Sequence, residues 1–164
     1  MTDPTTIRLV DTLLWLCRIP SPTGDEAALA NAMLERLAHL PLAAPPRRHG
    51  DSIVVPVTRH SGGPRIALVG HLDVVRTLHD GPPRVDEDKL YGPGASDMKS
   101  GLALMLDLLE HDMDELRYAD VTMIFYAREE GPYADNELGR VFEEDRDATA
   151  VDLAICMEPS DNKL

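Results

Sequence analysis

The sequence predicts an α/β fold in which one sheet forms the middle of three layers, with helices on both faces. The main observation is an alternation along the chain. Segments with apolar residues at helical spacing are followed by short, continuously apolar runs that are typical of buried strands. The length of 164 residues and the apolar content of 43% are those of one ordinary domain with its own core.

Two helices are predicted in the first 40 residues. Asp3 followed by Pro4 is typical of an N-cap with proline in the first turn, and this helix is expected to end at about residue 19. Thr23 and Glu26 form a capping-box pattern for a second helix. The apolar stripe of this second helix is Leu29, Met33, Leu37 and Leu40.

Four strands and two more helices are predicted further along. The strands are expected at residues 52–58, 65–70, 121–127 and 151–157. Pro56 favours an edge position for the first strand, because proline cannot donate a hydrogen bond to a neighbour. The helices are expected at residues 98–110 and 135–144. Their inward residues are expected to be Leu102, Met105, Leu106 and Leu109 in one, and Leu138, Val141 and Phe142 in the other.

The charge balance and the cysteines exclude several classes of protein. The formal net charge is −13, whereas a nucleic-acid-binding protein needs a basic face. No apolar run approaches the roughly 20 residues of a membrane span and no secretory leader is visible, so a cytoplasmic protein is expected. Cys17 and Cys156 stand far apart in apolar surroundings, which predicts buried free thiols rather than a zinc knuckle or a redox pair.

Potential metal ligands follow three of the predicted strands, and one more stands where a glycine-rich loop enters a helix. These residues are His71, Asp73, Asp97, Glu129, Glu130 and Glu158. Because sites in open α/β sheets lie outside the carboxyl ends of the strands, we expect these side chains to converge. An imidazole with carboxylates suits zinc, cobalt or manganese, whereas calcium prefers oxygen ligands alone.

Each of these residues also has a simpler interpretation. His71 alone is typical of a capped or solvent-facing residue, and Asp97 alone favours an N-cap for the helix that begins near Met98. Glu129 and Glu130 alone would be a solvated loop pair. It is their occurrence at consecutive strand ends that favours a metal site. The remaining histidines lack such a context and are expected at helix ends or on loop surfaces: His39, His49, His60, His79 and His111.

Two other chemistries are not supported by the sequence. It contains no Gly-x-Ser-x-Gly motif, so a serine hydrolase has no candidate nucleophile. The glycine-rich loop before Lys99 lacks the spacing of a phosphate-binding loop.

Four motifs resemble the co-catalytic metallopeptidase family, whose members hydrolyse amide bonds of acylated amino acids and peptides. They are Gly70–Asp73, Gly92–Gly101, Tyr126–Gly131 and Glu158–Ser160, in this order along almost the whole chain. Within the family, the run from Tyr126 to Pro132, followed by Asn136, Leu138 and Gly139, is most similar to the succinyl-diaminopimelate desuccinylases.

The resemblance implies a site for two divalent metal ions, zinc or cobalt. His71 and Glu158 are then ligands of one ion, Glu130 is a ligand of the other, and Asp97 bridges both.

The resemblance also implies catalytic roles for two residues that are not metal ligands. Glu129 is then the general base that takes a proton from the bridging water, and Asp73 orients His71. The peptide bond between Asp97 and Met98 is expected to be cis.

The resemblance further implies that residues 1–164 are the N-terminal part of a zinc-exopeptidase-like catalytic domain. A lid domain that forms a homodimer, and a returning segment with a second histidine ligand, are expected outside this chain. The expected substrate is a small N-acyl amino acid, and hydrolysis by the 164 residues alone is expected to be weak. An exposed apolar edge or face of the sheet is also expected. Another deacylase or dipeptidase of the family, or a non-catalytic metal-binding module, are the alternatives.

Overall fold

The computed structural model describes residues 3–76 and 81–160, so His79 lies outside the described residues. The helices are α1 (Pro4–Arg18), α2 (Ala27–Leu37), α3 (Lys99–His111), α4 (Glu137–Glu144) and α5 (Arg146–Thr149). The strands are β1 (Arg47–His49), β2 (Ser52–Pro56), β3 (Arg65–His71), β4 (Arg84–Asp86), β5 (Lys89–Tyr91), β6 (Asp120–Tyr126) and β7 (Leu153–Cys156). Within these residues, no helix is long and apolar enough to cross a membrane.

The main sheet has the strand order β1-β2-β6-β3-β7, and β4 and β5 form a separate hairpin. Strand β3 runs parallel to both β6 and β7, whereas β2 is antiparallel to β6. The register places His71 opposite Tyr126 and Val69 opposite Cys156. The three parallel strands therefore end at the same edge of the sheet.

Helices cover both faces of this sheet, as the sequence predicted. Alternate residues of β6 enter two separate cores, with Met123 and Phe125 on one face and Ile124 on the other. The first core includes residues of α1, α2 and α3, and the second contains Val141 of α4 and Ala148 of α5. Burial on both faces explains why β6 is continuously apolar rather than alternating.

The amino-terminal helix and the helix after the glycine-rich loop are close to their predictions. Asp3 caps α1 by accepting a hydrogen bond from the Thr6 amide at 3.2 Å. Helix α3 buries the four predicted inward residues, Leu102, Met105, Leu106 and Leu109. The prediction of Cys17 as a buried thiol is also confirmed.

The predicted capping box of α2 is wrong. No side chain caps this helix, and the Glu26 carboxylate instead accepts a hydrogen bond from the Gly24 amide at 2.7 Å. The Thr23 hydroxyl donates to the Val74 carbonyl at 3.3 Å. The reason is tertiary, because the chain from residue 21 to 23 pairs with the segment after β3 rather than closing on its own helix.

Strand β2 is not the edge strand that Pro56 suggested. It lies between β1 and β6. However, β1 pairs only with residues 52–54, so Pro56 lies beyond that ladder while it still pairs with Thr122 of β6. The proline therefore marks the point where one neighbour ends. His49, expected on a loop surface, lies in β1 and contacts the carboxylates of Glu144 and Asp145.

Strand β7 was expected to be buried, and all four of its residues are exposed. It is the outermost strand next to β3, so only one of its edges is paired. Leu153 and Ile155 are 51% and 41% exposed, which gives the exposed apolar edge that the sequence led us to expect. Cys156, predicted to be buried, is exposed for the same reason.

Phe142 was also predicted to point inward and is 43% exposed. Helix α4 is shorter than predicted and begins at Glu137, with Asn136 as its N-cap. Val141 is its one buried residue, and Leu138 packs partly against the same core.

Candidate metal centre

The predicted ligands lie together at the carboxyl edge of the sheet. His71 is the last residue of β3, and Glu129 and Glu130 follow β6. Glu158 follows β7, and Asp97 stands in the loop that precedes α3. The parallel register brings the three strand ends side by side, and the start of α3 brings Asp97 to them.

His71 is the buried centre of this group, with 1% of its surface exposed. Its Nδ1 atom lies 2.9 Å from the backbone oxygen of Asp73, so Nδ1 carries the hydrogen because a carbonyl oxygen can only accept. Its Nε2 atom faces carboxylates, at 3.2 Å from Asp97, 3.3 Å from Glu158 and 3.9 Å from Glu129. The Nδ1 atom is thus fixed by the Asp73 backbone, and the Nε2 atom points at the acidic residues.

The charges around His71 decide its ionisation in the protein without metal. Burial alone would lower the pKa of the imidazole, but the hydrogen bond to Asp73 and the negative charges of Asp73, Glu158 and Glu129 raise it to about 9. The ring therefore carries a positive charge at neutral pH, in the position where a metal ion would take the place of the Nε2 proton.

Asp73 connects the end of β3 to the turn after β6. Its side chain is 0% exposed, and its two oxygens accept hydrogen bonds from the amides of Glu129 at 2.9 Å and Glu130 at 3.0 Å. Burial would raise the pKa of this carboxyl, but the imidazole of His71, whose Nδ1 atom lies 3.5 Å from the Asp73 carboxylate, and the two amides hold it below its usual value. Asp73 is therefore an anion that holds both the imidazole and the backbone of the two glutamates.

The side chains offer two sets of ligand atoms, each with all atoms within 4.8 Å of one another. One set is His71, Asp97 and Glu158, and the other is His71, Glu129 and Glu130. The first set is the group that the resemblance assigns to one ion. The second set contains Glu129, the expected base, and lacks the expected bridge.

The acidic residues of the centre repel one another. The pKa of Glu130 is raised by burial and then by the charge of Asp97, and the pKa of Glu158 is raised by burial and by the charges of Asp97 and Glu129. A divalent cation would relieve this repulsion, and one imidazole with several carboxylates is a donor set that zinc or cobalt accepts. The residues present therefore fit a metal ion.

Asp97 does not cap α3, so the simpler interpretation of this residue is wrong. The N-cap of α3 is Met98, and no side chain caps the helix. The Asp97 carboxylate is directed at His71 instead, and the Asp97–Met98 peptide bond is cis, as the resemblance implied. The loop before it needs a glycine at position 94, where φ is +70° and a Cβ atom would lie 2.4 Å from the Val74 side chain.

Lys99 is a residue whose role the sequence did not indicate. Its side chain is fully buried, and its Nζ atom donates to the carbonyls of Leu16 at 3.0 Å and Ile19 at 3.1 Å, at the end of α1. Burial lowers its pKa to about 8. Its amide donates to the Gly94 carbonyl at 2.8 Å, so this lysine ties the loop that carries Asp97 to α1. Its one sequence signal was a charge at the start of an apolar helix.

Comparison with known proteins gives a family and several relatives. Residues 67–163 match the model of peptidase family M20/M25/M40. The succinyl-diaminopimelate desuccinylase of Corynebacterium glutamicum is 35% identical over 157 residues, which cover 94% of this chain and 40% of the relative. Carboxypeptidase G2 of a Pseudomonas species is 31% identical over 173 residues, covering 95% of this chain and 40% of the relative. The chain thus spans about 40% of the length of these relatives.

Solved structures share the fold. A metallo-carboxypeptidase of the M20 family from Sulfolobus solfataricus superposes with a TM-score of 0.72 at 19% identity, over 97% of this chain and 38% of that one. A dinuclear metal-binding M20 peptidase of Bacillus subtilis gives 0.66 at 17% identity, over 96% of this chain and 44% of that one. With the family match over residues 67–163, these findings confirm the resemblance: the chain belongs to peptidase family M20/M25/M40.

Proposed function

We propose that this chain is the metal-binding part of a two-metal amidohydrolase that splits N-succinyl-L,L-2,6-diaminopimelate into succinate and diaminopimelate, in the synthesis of lysine and cell-wall precursors. The observation that carries the metal-dependent chemistry is the convergence of the His71 Nε2 atom with Asp97 and Glu158, at 3.2 and 3.3 Å. The desuccinylase relative at 35% identity supports the substrate.

Two divalent ions, zinc or cobalt, would be held by residues at the carboxyl edge of the sheet. We assign His71 and Glu158 to one ion, Glu130 to the other, and Asp97 to both. When bound, such ions polarise the amide carbonyl and lower the pKa of a bound water toward about 7. The set His71, Asp97 and Glu158 supports the assignment of the first ion.

Glu129 is the proposed general base, which takes a proton from the attacking water and delivers it to the leaving amine. Its side chain is 38% exposed beside the buried His71, so it can reach both the centre and a substrate from solvent. Its backbone is held by Asp73, which fixes the direction from which the carboxylate approaches. Asp73 also keeps the proton of His71 on Nδ1, so that Nε2 is the atom available as a ligand.

The chain spans about 40% of its relatives, and we propose that its own turnover is far below that of a full-length relative. Carboxypeptidase G2, at 31% identity over 95% of this chain, favours a second candidate on the same residues, a peptidase or another N-acyl-amino-acid deacylase. A homodimer formed through a further domain and a cytoplasmic location stay predictions.

Calorimetric titration with Zn²⁺ or Co²⁺ tests the metal centre directly. We expect Asp97→Ala to weaken metal affinity by more than about tenfold, because the change removes a ligand atom rather than a residue that only orients a ligand. Asp114→Ala is the control, since Asp114 is an exposed acidic residue in the turn that precedes β6, whereas Glu129 and Glu130 follow that strand. Equal binding by both variants would contradict the proposal.

Hydrolysis assays on the metal-loaded protein then separate the candidate activities. A panel of succinyl-diaminopimelate, other N-acyl amino acids and dipeptides is expected to give its highest kcat/KM with the succinylated substrate. A preference for a dipeptide would favour the peptidase. Metal binding by this chain without hydrolysis of any of them, even at high protein concentration, would indicate a non-catalytic metal-binding module.

A further inference from the structure

Two buried polar atoms close to the candidate centre lack a hydrogen-bond partner within residues 3–76 and 81–160. They are Oε2 of Glu26 and Nε of Arg128. The Glu26 side chain is 0% exposed, and only its other oxygen is bonded, to the Gly24 amide. A carboxylate buried with one free oxygen is costly unless a positive charge compensates it, so this arrangement requires an explanation.

The charge of Arg128 acts on the Glu26 carboxylate. Burial has the largest effect and raises the pKa of Glu26, and the neighbouring charge of Asp73 also raises it. The backbone hydrogen bond from Gly24 and, more weakly, the guanidinium of Arg128 lower it. Arg128 is thus a positive charge near a carboxylate that lies 102 positions away in the chain.

The segment that carries Glu26 is bonded to both ends of the turn that carries Asp73. The Ser21 hydroxyl donates to the Leu72 carbonyl at 2.8 Å, and the Val74 amide donates to the Ser21 carbonyl at 2.9 Å. The Thr23 amide donates to the Val74 carbonyl at 3.1 Å. A shift of this segment would therefore move Asp73, which lies between Leu72 and Val74.

Arg128 begins the turn that Asp73 holds from the other side. Its φ is +65°, a left-handed conformation that residues other than glycine adopt uncommonly. The two amides that follow donate to the Asp73 carboxylate. Later in the same turn, a Cβ atom on Gly131 would lie 3.1 Å from the Thr23 methyl group, so the turn packs against the segment of Glu26.

We propose that Glu26 is a positioning residue that acts through Arg128 to hold the turn at residues 128–131. Through this turn it sets the directions of Glu129 and Glu130. The consequence for metal binding rests on the proposed function, whereas the effect on the turn does not. The competing explanation is that Glu26 only closes the chain before α2 by accepting the Gly24 amide.

Amide hydrogen exchange, followed by NMR on the metal-free protein, separates the two explanations. Glu26→Gln keeps the acceptor for Gly24 and removes the charge. We expect the protection of the Glu129 and Glu130 amides to fall by about tenfold or more, while Phe125 in the adjacent strand changes by less than about threefold. Glu35→Gln, an exposed change on α2, is the matched control and leaves all of them unchanged.

Variants of Arg128 test whether the effect passes through this residue. Arg128→Met should reproduce the loss at the same two amides, and Arg128→Lys, which keeps the charge, should restore most of the protection. The double variant Glu26→Gln with Arg128→Met should be no worse than either single variant, because coupled residues are not additive. Additive losses, unchanged protection in Glu26→Gln, or an equal loss throughout β6 would overturn the proposal.

Zinc titration of the same variants gives a second measurement. Glu26→Gln should weaken the ion held by Glu130 by about tenfold and leave the ion held by His71, Asp97 and Glu158 within about threefold of the wild type. A wild type that binds no zinc would refute the proposed function, and the exchange data would still decide the role of Glu26.

Discussion

The two ends of the parallel strands both carry acidic residues, but in opposite electrostatic settings. At the amino ends, Asp152 is bonded to Arg65 at 2.7 Å, which holds its pKa at about 2. The Asp120 carboxylate accepts a hydrogen bond from the Ser61 amide, which also lowers its pKa. The protein itself supplies the partner of each carboxylate there.

At the carboxyl ends, acidic residues face one another around a single imidazole. Burial and the charge of Asp97 raise the pKa of Glu130 and of Glu158. The acidic surplus of the chain therefore says little by itself, since both ends are acidic. What distinguishes the carboxyl ends is that one imidazole among the described side chains faces several carboxylates, so negative charge remains there, and this is the setting that attracts a cation.

The largest expected effect is on turnover. Glu129→Gln removes the proposed base while keeping the size and the backbone bond to Asp73, so hydrolysis should fall by about 10²–10⁴-fold. Metal affinity should stay within about threefold, since Glu129 is not an assigned ligand. Assays of hydrolysis and calorimetry on the same preparation check both, with the exposed Glu115→Gln as control. Loss of metal together with turnover would make Glu129 a ligand.

His71→Ala should weaken metal affinity at the carboxyl ends by about 100-fold or more. The loss of a ligand should exceed the 10–100-fold loss that follows when an outer-shell partner of a ligand is removed. The control is His39→Ala, a histidine exposed beyond α2. Calorimetry with Co²⁺ measures both. If the His71→Ala protein still bound Co²⁺ with wild-type affinity, the carboxyl ends would not hold a metal centre built on His71, and the ion would be bound by carboxylates elsewhere.

Asp73→Asn should weaken metal binding by about 10–100-fold, as removal of an outer-shell partner of a ligand does. It should also lower the free energy of unfolding by about 1–3 kcal/mol, because one of the two glutamate amides loses its acceptor in a buried place. Asp120→Asn is the matched change at the amino ends. It keeps an oxygen that can accept the Ser61 amide, and it should leave metal affinity unchanged. Urea unfolding measures the free energy of unfolding of the two variants, and calorimetry measures their metal affinity. Equal losses of metal affinity in both variants would contradict the difference between the carboxyl and amino ends of the strands.

The smallest effect is expected for Asp152→Asn at neutral pH, a shift in Tm below about 3 °C, because exposed ion pairs contribute little. Asp152 has a folded pKa of about 2, below its ordinary value of 3.8. Its contribution is therefore present above pH 4 and is lost as the pH falls through 2. Tm measured from pH 2 to 7 should show the two proteins converging at low pH. A constant difference would point to a cause other than this ion pair.

Local patterns predicted the elements well where a segment has the same neighbours along its length. The inward residues of α3 and the buried run of β6 follow from local pattern alone, because α3 packs on one core along its length and β6 is covered on both faces. The same apolar signal failed for β7, whose residues are exposed. An apolar run shows that a strand can be buried, and only the arrangement of strands decides whether a second neighbour covers it.

The candidate site shows the same division. Strand ends are visible in the sequence, so His71, Glu129 and Glu158 could be singled out before their distances were known. Lys99 and Glu26 could not, because the role of Lys99 depends on its hydrogen bonds to the end of α1, and the role that we propose for Glu26 depends on Arg128 in a distant turn. A lysine at the start of an apolar helix and a glutamate after a turn are ordinary surface patterns.

The sequence by itself determined the α/β class, the order of most helices and strands, and the motifs that assign the chain to its family, because these depend on periodicity and short-range spacing. The tertiary structure decided which strand lies at the edge, which nitrogen of His71 faces the carboxylates, and that Asp97 turns toward the imidazole rather than capping α3. These depend on distances between segments far apart in the chain, and the energy of a buried charge is set by such neighbours rather than by its position in the sequence.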